Sequence, residues 1–330
     1  MECTLLFRKM IVPKAKKLIH ETNLRFKHHG IIEGMVYAKN QFYYNFIQRQ
    51  IMDVDIYDSI LHYDEDWDLL IVLDACRVDA LRQYADDDQY DFIDSVDSKT
   101  SVSGRSPGWM REMFDQSELD KVKETTYVTA NPHSELILND SDTVDPDQFQ
   151  RLDEVWKYGW DKEKGTVLAE TMTDRAINLG RSSSASRMIV HYMQPHFPSV
   201  PKSVFDSGID LQNIGEKWEN SVWEQYLRGR LTKEEIWEAY NENLKYVLES
   251  LDTLLHNIDA DKCVITADHG NAFGEKGYYG HGGYPVDAVR EVPWCETVAT
   301  DSGDYQPQVA PPKDSGNSEV KSRLESLGYI

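Results

Sequence analysis

The chain has 330 residues and a formal net charge of −22, which results from 57 acidic and 35 basic residues. This length can bury a large core and allows one large α/β domain or two smaller ones, and we predict one domain with appendages. The acidic residues are spread along the chain, which argues against a nucleic-acid partner and suits a halophilic, archaeal source, because high salt screens the repulsion between surface carboxylates.

The cysteines and the hydropathy pattern bear on the location of the protein. Cys3, Cys76, Cys263 and Cys295 show no paired spacing, so the sequence indicates neither a disulfide framework nor a zinc knuckle. No apolar run approaches the length of a membrane span, and the apolar stretch near the start is too short for a signal peptide. From these observations we expect a cytoplasmic protein.

Residues 1–60 are rich in lysine, histidine and aromatic residues with a helical periodicity, and we predict a helical N-terminal arm. This arm is the one locally basic region of the chain, through Lys14, Lys16, Lys17, Arg25 and Lys27. Two interpretations stay open. The arm packs on the main domain with its charges in solvent, or it makes a peripheral contact with a membrane or an acidic partner.

Two predicted strands end in a carboxylate. The apolar run 69–73 leads to Asp74, and residues 262–265 lead to Asp268 and His269. Because the carboxyl ends of parallel strands meet at one edge of a sheet, we expect these three side chains to lie close together. Their oxygen and nitrogen atoms suit a divalent cation such as Mn, Mg, Ca or Zn. The alternative for an aspartate at the end of a strand is a helix cap.

A hydroxyl-rich loop, residues 98–106, precedes a predicted helix. Ser106 is the expected N-cap of that helix, with Pro107 in its first turn. Free backbone N–H groups at the start of a helix can hold an anion, and a nearby hydroxyl can then act as a nucleophile. The candidate nucleophiles are Thr100, Ser101 and Ser103, and the alternative is an ordinary surface loop.

Three histidines follow in the second half of the chain. His191 lies within a predicted strand, and we interpret it as a hydrogen-bonded core residue. His196, in a loop framed by Pro195 and Pro198, is a better candidate for a site. His281 lies across a glycine-rich turn from Asp268, in a position to contact a bound anion or a second metal.

The order of the elements predicts the architecture. A capping box at residues 232–235 opens a long helix that leads directly into the strand before Asp268. Alternating strands and helices predict an α/β fold over residues 61–300, with a doubly wound, mostly parallel sheet between layers of helices. Residues 301–330 are predicted to form a linker and a short C-terminal helix over 318–327.

The motifs in this order resemble the sulfatase-like branch of the alkaline phosphatase superfamily, which contains sulfatases and phosphoethanolamine and glycerophosphate transferases. The resemblance spans about residues 68–294 and rests on the strand ending in Asp74 with Arg77 and Asp79 behind it, the hydroxyl-rich loop, the Pro195-His196 turn, Asp268-His269-Gly270 and Gly280-His281-Gly282. It implies an alkaline-phosphatase-like fold. Because only about 35 residues follow Trp294, we expect this fold to lack the large C-terminal subdomain of many sulfatases. The resemblance further implies that Asp74, Asp268 and His269 are metal ligands, and that His281 and His196 contact the substrate.

The resemblance also implies an activity. It is that of a metal-dependent hydrolase or transferase that acts on small-molecule, lipid or glycan phosphate or sulfate esters, through a covalent ester on a serine or threonine. Spacing from Trp109 favours Ser101 as the nucleophile, whereas the similarity of Lys99-Thr100-Ser101 to the transferase motif favours Thr100. Ser103 remains a third candidate.

Two departures from the family pattern bear on the reaction. The Cys/Ser-x-Pro-Ser-Arg string that matures to formylglycine is missing, so formylglycine-type sulfatase activity is not implied. Ala75 stands where the family has a second aspartate after the first strand, which favours a single or differently built metal site. The alternative function is that of a catalytically degenerate member of the superfamily that acts in binding or assembly.

Overall fold

A computed structural model describes residues 2–43, 57–86, 90–182, 185–204, 211, 221–283 and 286–309, with the side chains of residues 2–14 excepted. The predicted C-terminal helix over 318–327 and much of the predicted linker lie outside these residues.

Seven strands form the central sheet in the order β2-β11-β8-β1-β7-β3-β4. Their bounds are Leu69–Leu73 for β1, Asp97–Thr100 for β2, Thr125–Thr129 for β3, Arg151–Glu154 for β4, Arg187–Tyr192 for β7, Ala260–Thr266 for β8 and Glu291–Ala299 for β11. The five strands from β8 to β4 are parallel, whereas β11 runs antiparallel to both β8 and β2. The predicted mostly parallel α/β sheet is therefore confirmed.

Helices cover both faces of this sheet. They are α1 Glu2–His28, α2 Ile31–Phe42, α3 Val78–Asp86, α4 Ser106–Met113, α5 Leu119–Lys123, α6 His133–Ile137, α7 Ala169–Ser182, α8 Val222–Leu227, α9 Lys233–Leu255 and α10 Asp287–Arg290. Two short antiparallel ribbons complete the fold, one from β5 (Trp160–Asp161) and β6 (Thr166–Val167) and one from β9 (Ala272–Phe273) and β10 (Tyr279–Gly280).

The central strand β1 shows why the sequence folds into three layers. All five of its side chains are buried, because the strand has helices on both of its faces. Leu69, Ile71 and Leu73 pack in one core with residues of α3, α7 and α9. Leu70 and Val72 point the opposite way into a second core with residues of α4 and α6. A continuous apolar run is what this doubly covered position requires.

The N-terminal helices α1 and α2 form a hairpin, which is consistent with the helical pattern of the first residues. The two helices approach closely at Gly34, where a Cβ atom would lie 2.3 Å from the ring of Phe26. Arg25 of α1 is buried and donates a hydrogen bond of 3.0 Å to Glu33 of α2. The hairpin contacts the rest of the chain through α8 and through the turn Glu275–Gly277.

Candidate functional site

Four parallel strands deliver polar side chains to one edge of the sheet. Asp74 follows β1, Asn131 follows β3 and Asp268 follows β8, while His191 lies near the end of β7. All four residues are buried. Ligands of open α/β sheets bind at the carboxyl ends of the strands, and here that edge carries carboxylate, amide and imidazole groups. The predicted convergence of Asp74 and Asp268 is therefore present in the structure.

The carboxylates and imidazoles of this edge lie within a few ångströms of each other. His269 Nε2 is 3.5 Å from Asp74 Oδ1 and 3.5 Å from Asp268 Oδ2. His191 Nε2 is 3.7 Å from Asp268 Oδ2. Asp74, His191 and Asp268 each offer one ligand atom, and these three atoms lie within 4.8 Å of one another. His191, which the sequence pattern suggested was a core residue, thus lies at the site with the predicted ligands Asp74, Asp268 and His269.

The atoms that face the centre of this cluster have no hydrogen-bond partner among the described residues. They are Asp74 Oδ1, Asp268 Oδ2 and His191 Nε2. A buried carboxylate oxygen without a partner is costly, and a bound cation is one of the few groups that compensates it. Two oxygens and imidazole nitrogens are also a donor set that divalent metals accept. The residues present therefore fit a divalent metal ion.

The outer atoms of the same side chains are held in place by hydrogen bonds. Asp74 Oδ2 accepts a hydrogen bond of 2.9 Å from Asn131 Nδ2. Asp268 Oδ1 accepts the backbone N–H groups of Ala75 and His269 at 3.2 and 2.9 Å. Such partners fix the orientation of metal ligands, so the inward atoms are already aimed at a common point.

The two carboxylates differ in their protonation behaviour. The pKa of Asp74 lies well above its usual value because the group is buried and faces the charge of Asp268. Burial alone would raise the pKa of Asp268 as well, but the neighbouring His269 and His191 hold it below its usual value. Burial lowers the pKa of His191 to about 4, so this imidazole is neutral at physiological pH and able to act as a ligand.

Ser106, the predicted N-cap of the helix after the hydroxyl-rich loop, lies beside this cluster. Ser106 is the first residue of α4 and is buried, and Arg105 occupies the N-cap position instead. Ser106 Oγ donates a hydrogen bond of 3.3 Å to Asp74 Oδ2 and lies 3.4 Å from His269 Nε2. The serine-proline pair at the start of a helix is the sequence feature that could have indicated a site at Ser106, because it marks a hydroxyl next to unpaired backbone N–H groups.

The three predicted nucleophiles lie elsewhere in the same loop. Ser101 is buried, and its hydroxyl donates to the backbone carbonyl of Asp268. Thr100 ends the edge strand β2 opposite Glu291, and Ser103 Oγ accepts the backbone N–H of Arg105. No side-chain hydrogen bond of these three to Asp74 or His269 occurs in the described part of the chain. Their catalytic role remains a prediction, and among the hydroxyls of this loop it is Ser106 that contacts Asp74 and His269.

The two predicted substrate-binding histidines contact each other, and His281 also contacts His269. His196 Nε2 and His281 Nε2 are 3.0 Å apart, and the His281 ring stacks on the His269 ring with 4.4 Å between centroids. Burial lowers the pKa of His196 to about 4 and that of His281 well below its usual value. His196 Nδ1 lies 2.6 Å from the Phe197 carbonyl and donates to it, so in the neutral pair His281 Nε2 donates to His196 Nε2 and His281 Nδ1 is an acceptor.

Close backbone packing brings His281 and Ser106 to the same place. At Gly104, a Cβ atom would lie 2.2 Å from the carbonyl oxygen of Gly282, so only glycine allows the two loops to touch. Gly104 lies two residues before Ser106, and Gly282 follows His281. The hydroxyl-rich loop and the histidine loop are thus held against each other beside the carboxylates.

The turn after β1 is kept in an unusual conformation. Ala75 has a φ of 61°, in the left-handed region that normally favours glycine. This conformation directs its backbone N–H to Asp268. The hydroxyl of Tyr240, from α9, donates to the Ala75 carbonyl at 2.9 Å and accepts the Arg77 N–H at 2.9 Å. Tyr240 therefore fixes the turn that follows Asp74 and donates a backbone hydrogen bond to Asp268.

The substitution Tyr240→Phe is expected to destabilise the protein by about 1–3 kcal/mol, because it leaves two buried backbone groups without partners. It is also expected to lower the metal affinity, since the turn at Ala75 orients Asp268. Chemical denaturation and metal titration check both effects. Tyr84→Phe is the matched control, because the Tyr84 hydroxyl makes a single long bond of 3.5 Å to a partly buried carbonyl. Equal behaviour of the two variants would contradict this role.

Comparison with protein-family models and with curated proteins gave no match. Among solved structures, the soluble domain of lipooligosaccharide phosphoethanolamine transferase A from Neisseria meningitidis has 13% identity and a TM-score of 0.48, covering 71% of this chain and 76% of that one. The integral membrane form of this transferase from the same organism has 12% identity and a TM-score of 0.49, covering 92% of this chain and 61% of that one. The C-terminal periplasmic domain of EcEptC from Escherichia coli, in complex with zinc, has 14% identity and a TM-score of 0.46. The match covers 73% of this chain and 75% of that one.

These comparisons correct one prediction. The expected cytoplasmic location is wrong, because the matched proteins include a periplasmic domain and an integral membrane protein. Among the described residues, no helix is both long and apolar enough to cross a membrane. The first two matches are phosphoethanolamine transferases, one of the groups of enzymes that the sequence motifs resemble.

Proposed function

We propose that the protein is a metal-dependent transferase or hydrolase of phosphate or sulfate esters, with Ser106 as its nucleophile. The observation that carries this proposal is the position of a buried serine hydroxyl at a helix start, in hydrogen-bond contact with Asp74 and 3.4 Å from His269 Nε2. We further propose residues 61–300 as the catalytic unit and residues 1–60 as an appended arm.

The metal would be held by Asp74, Asp268 and His269, and His191 is a further ligand candidate. The unpartnered Asp74 Oδ1, Asp268 Oδ2 and His191 Nε2 support this assignment. A divalent cation at this point would supply Lewis-acid stabilisation of negative charge on the nucleophile and on the ester. The carboxylates suit manganese, magnesium and calcium, whereas the imidazoles favour zinc, which is the ion bound to the Escherichia coli domain named above.

The residues around Ser106 define the remaining steps. The Ser106 hydroxyl donates to Asp74 Oδ2, so its proton already lies toward a carboxylate when the oxygen attacks phosphorus or sulfur. The new Ser106 Oγ ester forms as the bond to the leaving-group oxygen breaks. Attack by water or an acceptor alcohol then restores the serine and releases the product.

The histidine pair is suited to hold the non-reacting part of the ester group. His196 and His281 lie in mutual contact beside His269, and His281 Nδ1 is a buried nitrogen without a hydrogen-bond partner among the described residues. A bound ester that replaces His196 as the partner of His281 would accept the His281 Nε2–H on a non-bridging oxygen of its phosphate or sulfate, where negative charge accumulates during transfer. We therefore propose His196 and His281 as substrate-binding residues, for a small-molecule, lipid or glycan ester.

The proposed function is tested with protein that has been stripped of metal by a chelator. The stripped protein is assayed against an aryl phosphate, an aryl phosphodiester and an aryl sulfate, alone and after addition of Mn, Mg, Ca or Zn. We expect no turnover without metal and turnover of at least one ester with at least one metal. Full activity in the stripped protein would contradict the metal role. No turnover under any of these conditions would favour the alternative, a degenerate member that acts in binding or assembly.

A further inference from the structure

We propose that the hairpin of α1 and α2 is a docking surface for an anionic lipid bilayer. The hairpin combines an exposed apolar stripe with exposed lysines, and it is firmly attached to the loop that carries His281. This inference does not depend on the proposed chemistry, because it concerns a surface outside the site.

Exposed apolar side chains are concentrated on this hairpin. Ten large hydrophobic residues are exposed among the described residues, and eight of them lie between residues 19 and 43: Ile19, Phe26, Ile31, Ile32, Met35, Val36, Phe42 and Tyr43. Ile32 is 80% exposed and Ile31 is 69% exposed. Ile31, Ile32, Met35 and Val36 are neighbours on successive turns of α2, and an exposed apolar patch of this kind usually marks a contact with a protein or a membrane.

The apolar residues of α2 follow a helical spacing. Ile32, Met35 and Val36 are exposed, and Lys39 is exposed one turn further along the same stripe. The opposite stripe faces the rest of the protein through Glu33 and Tyr37. One face of the helix therefore packs on the protein and the other presents apolar side chains next to a lysine, which is the pattern of an interfacial helix.

The positive charge of the hairpin favours an anionic partner. Residues 15–43 contain five basic and two acidic residues, a net charge of +3, in a chain with a net charge of −22. Both acidic side chains are engaged within the fold, Glu21 with Tyr37 and Glu33 with Arg25. An anionic bilayer would repel most of this chain and attract the hairpin, so the charge distribution favours docking in one orientation.

The hairpin is tied to the loop that enters the site. Tyr226 and Tyr279 both donate hydrogen bonds to Glu33. Asn40 of α2 donates to the carbonyl of Lys276 and accepts from the Tyr278 hydroxyl. These contacts fix the segment immediately before His281. A membrane bound to the exposed face of α2 would thus lie next to the loop that borders the site.

The test is co-sedimentation of the full chain with vesicles of phosphatidylcholine, with or without phosphatidylglycerol. The wild-type protein is expected to bind the phosphatidylglycerol vesicles, and less so as salt increases. The variant Ile31→Ser/Ile32→Ser/Met35→Ser is expected to lose at least about tenfold in partitioning. Lys16→Gln/Lys17→Gln/Lys27→Gln is expected to lose about fivefold per lysine on anionic vesicles only.

The matched control is Leu136→Ser/Val298→Ser, which removes the two exposed apolar residues outside the hairpin and should bind like the wild type. Circular dichroism melting confirms that each variant is folded. Failure of the folded wild type to bind phosphatidylglycerol vesicles would overturn the proposal. Equal binding by the apolar variant would also overturn it. Light scattering that shows a wild-type dimer without vesicle binding, and a monomeric apolar variant, would assign the patch to a second copy of the chain.

Discussion

Replacement of Ser106 by alanine is expected to lower kcat by at least about 10³-fold, because the variant cannot form the covalent ester. The structure gives this serine a position that no other hydroxyl of the loop shares, in contact with Asp74 and 3.4 Å from His269 Nε2. The fold should be preserved, since loss of one long hydrogen bond of 3.3 Å removes little stability. Steady-state kinetics and a thermal melt measure the two effects.

Ser101→Ala is the matched control for this prediction. Ser101 is five residues earlier, is also buried, and was favoured by the spacing of the sequence. Its hydroxyl bonds to the carbonyl of Asp268, so we expect a loss of stability of about 1 kcal/mol and a kcat within about tenfold of the wild type. The opposite result, an inactive Ser101→Ala protein and an active Ser106→Ala protein, would identify Ser101 as the nucleophile.

Asp74→Asn is expected to abolish metal binding and activity while the protein remains folded. The amide retains an oxygen that can accept from Ser106 and Asn131, but it places an N–H group where Oδ1 now faces the cluster. Metal at about one hundred times its Kd should stabilise the wild type by about 2.7 kcal/mol and leave the variant unchanged. Denaturation with and without metal measures this difference. An equal metal-induced gain in both proteins would contradict the ligand role.

The same variant has a predictable effect on the metal-free protein. The pKa of Asp74 in the folded state lies well above its usual value through burial and the charge of Asp268, so the folded protein holds this proton more tightly than the unfolded chain does. The contribution of Asp74 to the free energy of unfolding therefore decreases as the pH rises through the unfolded and then the folded pKa. At neutral pH, metal-free Asp74→Asn should be at least as stable as the wild type, and its advantage should shrink as the pH falls toward about 4. Denaturation series at several pH values check this; an advantage that grows at low pH would contradict it.

The fold was predictable where one local pattern decides the structure. The apolar run before Asp74 and the shorter run before Asp268 are β-branched or aliphatic and uninterrupted, as parallel strands covered on both faces must be. The capping box at Thr232 marks the start of α9, and the structure contains both of its hydrogen bonds. Two parallel strands of one sheet end at the same edge. The proximity of Asp74 and Asp268 could therefore be predicted from the sequence.

The roles of Ser106 and His191 at the site could not be predicted from local sequence, which favours a helix cap for Ser106 and a core position for His191. Whether a serine at a helix start caps the helix or faces a neighbouring strand depends on how its loop packs, and here Gly104 must contact Gly282 before Ser106 can reach Asp74. His191 lies in a buried strand, where an imidazole is usually a hydrogen-bonded residue of the core. Its pairing with β1 and β3 places it beside Asp268, and this neighbour is distant in sequence.

The most direct test of the account is to trap the covalent ester. The metal-loaded protein is mixed briefly with an aryl phosphate and, separately, with an aryl sulfate, then quenched in acid and analysed by intact mass and by mapping of proteolytic peptides. We predict a mass gain of one phosphoryl or sulfuryl group on Ser106, missing in Ser106→Ala and in metal-stripped protein. An adduct on Ser101, Thr100 or Ser103, or rapid turnover of an ester without any adduct in the quenched wild type, would contradict Ser106 as the nucleophile.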